Sequence, residues 1–164
     1  LRHKGKKTVY VDGVAASIAS VIALAGDEVI VPSNAFMMIH KPWNVCVGNA
    51  ADLRKAADDL DAVETGIINV YKGHLTEGAD IEVVKELVAA ETWLNGEEAA
   101  KYFNVIVGEA KTYAAQISAE NMKNYSNVPK EIIKAAQADS DNETVETAVQ
   151  KIKSLVVQGI SKGV

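Results

Sequence analysis

Thr8-Val9-Tyr10-Val11-Asp12-Gly13-Val14-Ala15-Ala16-Ser17-Ile18-Ala19-Ser20-Val21-Ile22-Ala23-Leu24-Ala25-Gly26 is the stretch that decides the architecture. Thr8 to Val11 is β-branched and aromatic, the composition of a strand, and Asp12-Gly13 closes it with a turn. Val14 to Ala25 is small-residued and nearly all apolar, bounded by Gly13 and Gly26. Alanine dominates it and Gly26 supplies a C-terminal stop, so the run predicts a helix. A helix apolar on every face must be buried, and small side chains let its neighbours approach closely.

Working outward, Glu28-Val29-Ile30-Val31 predicts a strand closed by Pro32, and Ala35 to His40 predicts another ended by Lys41-Pro42. A loop from Trp43 to Gly48 leads to the clearest helix, Ala50 to Tyr71, capped by Asn49. Leu53, Ala56, Ala57, Leu60, Val63, Ile67, Val70 and Tyr71 recur on it at spacings of three and four. Its length is unusual for a small domain and predicts that it projects or mediates assembly. Thr76 begins a further helical segment running through Ile81, Val84, Leu87 and Val88. Glu91 to Leu94 reads as a turn or short extended stretch. Asn95 then caps a helix with Glu98 at its third position, and Tyr102 to Val107 predicts a strand. Near residue 110 the composition turns rich in alanine and asparagine. A last helix is expected from Glu143 to Gln158, with Val145, Val149, Ile152, Leu155 and Val156 on one face. Strands alternating with helices give an α/β fold of packed layers.

Composition bounds the function. The 164 residues can form one domain with a real core, burying roughly 70% of the unfolded surface. Hydrophobic residues make up 48% and charged residues 24%, a globular balance. One cysteine, Cys46, excludes an internal disulfide framework or a cysteine-rich zinc site; it is expected to be a buried or partly buried thiol. A net charge of −5 and 5% aromatics argue against nucleic acid or an anionic membrane as partner. No run reaches the length of a membrane span, and the basic start does not read as a signal peptide.

Two residues carry candidate chemistry. Ser17 stands at the first turn of the small-residued helix, where unpaired backbone N–H groups and the positive dipole end would stabilise an oxyanion. His40 closes an apolar strand, where a base could reach a cleft. Each also has a bland reading: serine as a packing residue in an alanine-rich helix, as for nearby Ser20, and histidine as a structural strand end. His3 and His74 are expected to be solvated.

Several segments, in order, resemble those of one family. Val11-Asp12-Gly13-Val14-Ala15-Ala16-Ser17-Ile18-Ala19-Ser20 is similar to the nucleophile segment of the Clp protease proteolytic subunit family, particularly its phage and prophage head maturation branch. Met38-Ile39-His40-Lys41-Pro42-Trp43 resembles the catalytic histidine segment. Gly48-Asn49-Ala50-Ala51-Asp52-Leu53 resembles the start of the long helix that interlocks subunits. Glu91-Thr92-Trp93-Leu94-Asn95-Gly96-Glu97-Glu98-Ala99 resembles the segment bearing the acid. The match runs over about residues 8 to 103. It implies an α/β fold, the ClpP/crotonase-type spiral of βα units, with residues 1–108 as peptidase core and 109–164 as a helical extension. It implies Ser17 as nucleophile, His40 as general base, Glu91 (where many members have aspartate) as the acid, and the Ile18 backbone N–H as an oxyanion donor. No cofactor or metal is implied. Partners would be polypeptide substrates (capsid or scaffold proteins in the phage branch), further copies of the chain in a ring, and a separate ATP-dependent unfoldase. The location would be the cytoplasm of a bacterial or phage-infected cell.

The family also carries a segment ahead of the strand at Thr8, with early βα units and a Gly-Gly stretch that supplies the other oxyanion N–H. Residues 1–164 hold no counterpart, so the chain is expected to be an N-terminally truncated copy whose activity alone is in question. Two other function classes stay open: a catalytically inactive assembly remnant, and a crotonase-like acyl-CoA enzyme sharing the broad fold.

Overall fold

A computed structural model describes residues 4–111 and 122–134. The chain divides into two compact units, Leu1–Tyr113 with Tyr125–Asn127, and Ala114–Asn124 with Val128–Val164. The first contains every named element. The helix expected at 143–158 and His3 lie outside the described residues.

Two three-stranded sheets build the first unit. One joins β1 (Thr8–Tyr10), β3 (Glu28–Pro32) and β6 (Ile106–Gly108), all parallel. The other joins β2 (Val14–Ala16), β4 (Phe36–Ile39) and β5 (Thr92–Asn95), with β2 parallel and β5 antiparallel to β4. Gly13, at a positive φ of 117°, turns the chain from the first sheet into the second, a conformation only glycine adopts without strain. Four helices complete the unit among the described residues: α1 (Ile18–Ala23), α2 (Ala50–Gly73), α3 (Ile81–Ala89) and α4 (Gly96–Ala99). The mixed α/β architecture is the one the sequence predicts.

Three boundaries differ for physical reasons. Val14–Ala16 is strand rather than helix, because Phe36–Met38 offers it a parallel edge. Tertiary pairing overrides alanine's helical preference. The remaining helix α1 is short and not buried all round: Ile18 and Ile22 are 61% and 64% exposed. The helix expected from Thr76 starts only at Ile81, where the Asp80 side chain accepts the Glu82 N–H. Gly78, at φ 82°, holds a turn just before it. Extended pairing at the last strand begins at Ile106; Phe103 instead makes an isolated bridge with Leu75.

Both cap assignments hold. Asn49 and Asp52 form a reciprocal capping box at the start of α2, and Asn95 and Glu98 form another at α4. The core gathers Leu24, Val31, Met37, Ile39, Tyr71, Val84, Val88 and Phe103, all essentially inaccessible. Of helix α2, only Tyr71 is fully buried. Leu53 and Val63 are about half exposed, so the front of its apolar stripe has no intramolecular partner among the described residues. No described helix is long and apolar enough to cross a membrane.

Candidate active site

Sheet register brings the three predicted residues to one end of the second sheet. Ala16 lies beside Met38 in the parallel pair β2–β4, so the residues after each strand, Ser17 and His40, emerge as neighbours. Thr92 lies opposite Ile39 in the antiparallel pair β4–β5. The next residues outward are Glu91 and His40. Strand spacing of about 5 Å then sets the separations.

Ser17 Oγ lies 2.7 Å from His40 Nε2. With the neutral imidazole carrying its proton on Nδ1, the hydroxyl donates to Nε2. Ser17 also holds an unusual backbone, φ 59° and ψ −127°, in territory that favours glycine and costs about 1–3 kcal/mol for other residues. Hydrogen bonds pin it from both sides. Its N–H donates to Met38 O at 2.9 Å, and its carbonyl accepts from Ser20 N at 3.0 Å and Ser20 Oγ at 2.7 Å. Ser17 is thus the N-cap of α1 rather than a residue of its first turn. The helix begins at Ile18, whose N–H has no intrahelical acceptor by position.

His40 is partly buried. Burial pushes its pKa below the ordinary 6.5, and the nearby Glu91 charge opposes this with a smaller upward pull. The imidazole is therefore neutral at pH 7, the state in which it can accept a proton. The Tyr125 ring meets the His40 ring edge-on, centroids 5.8 Å apart, and meets Trp93 in the same way at 5.8 Å. Trp93 is largely buried, and its indole N–H has no hydrogen-bond partner among the described residues.

Glu91 acts on His40 through its charge, and its carboxylate is tethered elsewhere. Oε1 accepts from Ser126 N at 2.6 Å and Asn127 N at 2.9 Å. The Asn127 side-chain amide donates to the carbonyls of Ala90 and Glu91, both at 3.1 Å. Glu91 itself has a positive φ of 52°. Residues 125–127 therefore form a strap beside the site that the sequence pattern did not signal. Next to His40, the Lys41 ammonium pairs with Glu64 of α2 at 3.1 Å and lines a groove with Asn69 and Lys85.

Other expectations change. Cys46 is exposed rather than buried, in a loop whose Val45 and Val47 are exposed too. His74 is half-buried at the end of α2, with its Nδ1 2.8 Å from Val70 O. Ser20 is fully buried and bonded to the Tyr71 hydroxyl at 2.8 Å, so it is more than a packing residue. The i, i+3 spacing of Ser17 and Ser20 was a visible signal for the first contact. Nothing local signals Tyr71. Among the described residues, no three His, Cys, Asp or Glu side chains cluster as metal ligands would.

The second sheet thus ends in a strand–serine–helix junction with a histidine on the adjacent strand end. The Clp protease family model matches residues 2–106, and the chain belongs to the Clp protease family. It is also similar to an ATP-dependent Clp protease proteolytic subunit from Porphyromonas gingivalis, 31% identical over 93 residues, which cover 55% of this chain. The chain spans about 40% of that relative's length.

Proposed function

We propose that the chain is the catalytic portion of a serine endopeptidase, with Ser17 as nucleophile, His40 as general base, Glu91 as the acid and the Ile18 N–H as oxyanion donor. The observation that carries the reading is the 2.7 Å contact between Ser17 Oγ and His40 Nε2, made by a serine held in a strained backbone at a strand–helix junction. His40 Nε2 takes the Ser17 proton as Oγ attacks a peptide carbonyl. The resulting imidazolium returns that proton to the leaving amine, and a water then hydrolyses the acyl-enzyme with His40 again as base. The Glu91 carboxylate favours the imidazolium electrostatically, the direction of its pull on the His40 pKa.

Residues 1–108 would form the peptidase core and 109–164 an extension. The substrate class is polypeptide, with capsid or scaffold proteins as the phage-type case. Ring assembly through the exposed stripe of α2 and delivery by an ATP-dependent unfoldase follow the family pattern, in a cytoplasmic setting. Incubation of the full chain with a fluorophosphonate probe tests the chemistry. Covalent labelling at Ser17, lost in Ser17→Ala and His40→Ala, is the expected result. A folded wild-type chain that fails to label would favour the inactive assembly remnant instead.

A further inference from the structure

We infer that Ser20 and Tyr71 are positioning residues that hold the Ser17–Ile18 peptide plane, and hence the Ile18 N–H, in the orientation that an oxyanion requires. The inference rests on the reading of Ser17 as nucleophile and of the Ile18 N–H as oxyanion donor.

The geometry is a directed chain. Ser20 Oγ–H donates to the Ser17 carbonyl at 2.7 Å. A serine hydroxyl has one proton, so the 2.8 Å contact between Ser20 Oγ and Tyr71 Oη must have Tyr71 as donor. The order is Tyr71 O–H to Ser20 O–H to Ser17 C=O. Burial raises the Tyr71 pKa, with a smaller opposing effect from the Ser20 bond, which keeps the phenol protonated and able to donate. Ser20 is 0% and Tyr71 1% exposed, so water does not compete for these bonds and each polarises the next.

The Ser17 carbonyl belongs to the same peptide unit as the Ile18 N–H. A trans peptide is planar, so its N–H points opposite to its C=O, and no described peptide is cis. Anchoring the carbonyl on the buried side therefore aims the N–H away from Ser20 and Tyr71. The anchor also resists a specific relaxation. A rotation of this plane that eases the Ser17 ψ turns the Ile18 φ by a compensating amount, so what the anchor restrains is a tilt of the plane rather than its full reversal. That tilt would swing the Ile18 N–H away from its present direction. The Ser20 bonds oppose it, and Tyr71 makes the Ser20 hydroxyl a stronger donor. Tyr71 lies near the end of α2, so the long helix reaches the nucleophile's backbone through one buried hydroxyl.

The test uses the full chain carrying Ser20→Ala, Tyr71→Phe or both, with two readouts: the rate of fluorophosphonate labelling at Ser17 as a function of pH, and thermal stability. Complete loss of an oxyanion donor costs about 10²–10³ in rate. Ser20→Ala is expected to slow labelling by about tenfold or more within that bound, without moving the pH midpoint, since the Ser17–His40 bond is untouched. Tyr71→Phe should have a smaller effect. The double variant should regain stability relative to Ser20→Ala, because both polar partners leave together, yet label as slowly as Ser20→Ala. Recovery of rate together with stability, multiplicative losses in the double variant, or an unchanged rate in Ser20→Ala would overturn the inference. The Ile18 amide resonance, expected to move in Ser20→Ala, is read independently of labelling. A moved resonance with an unlabelled wild type supports the peptide anchor and refutes the peptidase reading; an unmoved one refutes the anchor.

Discussion

Ser17 stores backbone strain, and replacing it in two ways measures that strain directly. Ser17→Ala and Ser17→Gly both abolish the 2.7 Å bond to His40, so their difference isolates the main chain. At φ 59° and ψ −127°, a residue with a Cβ is disfavoured by about 1–3 kcal/mol. Glycine escapes this cost but gives the unfolded chain more freedom, a loss of about 0.5–1 kcal/mol. The balance favours Ser17→Gly over Ser17→Ala by roughly 1 kcal/mol, which for a chain of this size is about 2–4 °C in Tm. Urea unfolding followed by circular dichroism at neutral pH compares the two midpoints. An alanine variant at least as stable as the glycine variant would refute the claim that hydrogen bonds at Met38 and Ser20 hold Ser17 in a strained conformation.

Glu91→Gln should lower the His40 pKa further, since the carboxylate pulls it upward against burial; NMR titration of the His40 ring reads the shift. His40 titrates below its ordinary 6.5 in the folded chain, so the unfolded chain takes up the proton first. Stability therefore falls as pH drops from about 6.5 through the folded value, and urea midpoints in Ser17→Ala against Ser17→Ala/His40→Phe should show that slope shrink. Gly96→Ala would push a Cβ into the Val31 and Pro32 carbonyl oxygens, the latter at 2.7 Å. It should destabilise the fold by about 1–3 kcal/mol, visible as a lower urea midpoint, where an unchanged midpoint would contradict the close approach. Leu53→Glu with Val63→Glu should leave the folded monomer intact, because both side chains are about half exposed. In light scattering, the same pair should abolish any oligomer built on α2.

Much of the first unit was legible because its signals are local. Glu28–Pro32 and Phe36–Ile39 are strands whose apolar runs stop at a proline or a charged turn. The Asn49 and Asn95 caps need only their own third residue. The family resemblance rested on ordered motifs of the same kind and placed Ser17, His40 and Glu91 as the residues to follow. Misreadings came where a distant partner decides. Val14–Ala16 is helical by composition and became a strand because β4 offered it an edge. Cys46, expected to be a buried or partly buried thiol, is exposed in a loop whose Val45 and Val47 are exposed too.

The sequence by itself determined most of the element types, both N-cap residues and the chemical identities of the candidate nucleophile, base and acid. Tertiary structure decided their geometry. Parallel and antiparallel registers around β4 set Ser17, His40 and Glu91 at one sheet end. Tyr71, 51 positions from Ser20, completes the buried bond chain to the Ser17 carbonyl, and Asn127 joins Glu91 across 36 positions. Hydrogen bonds and strand pairing at such separations depend on how the whole chain packs, and no local periodicity or propensity encodes them.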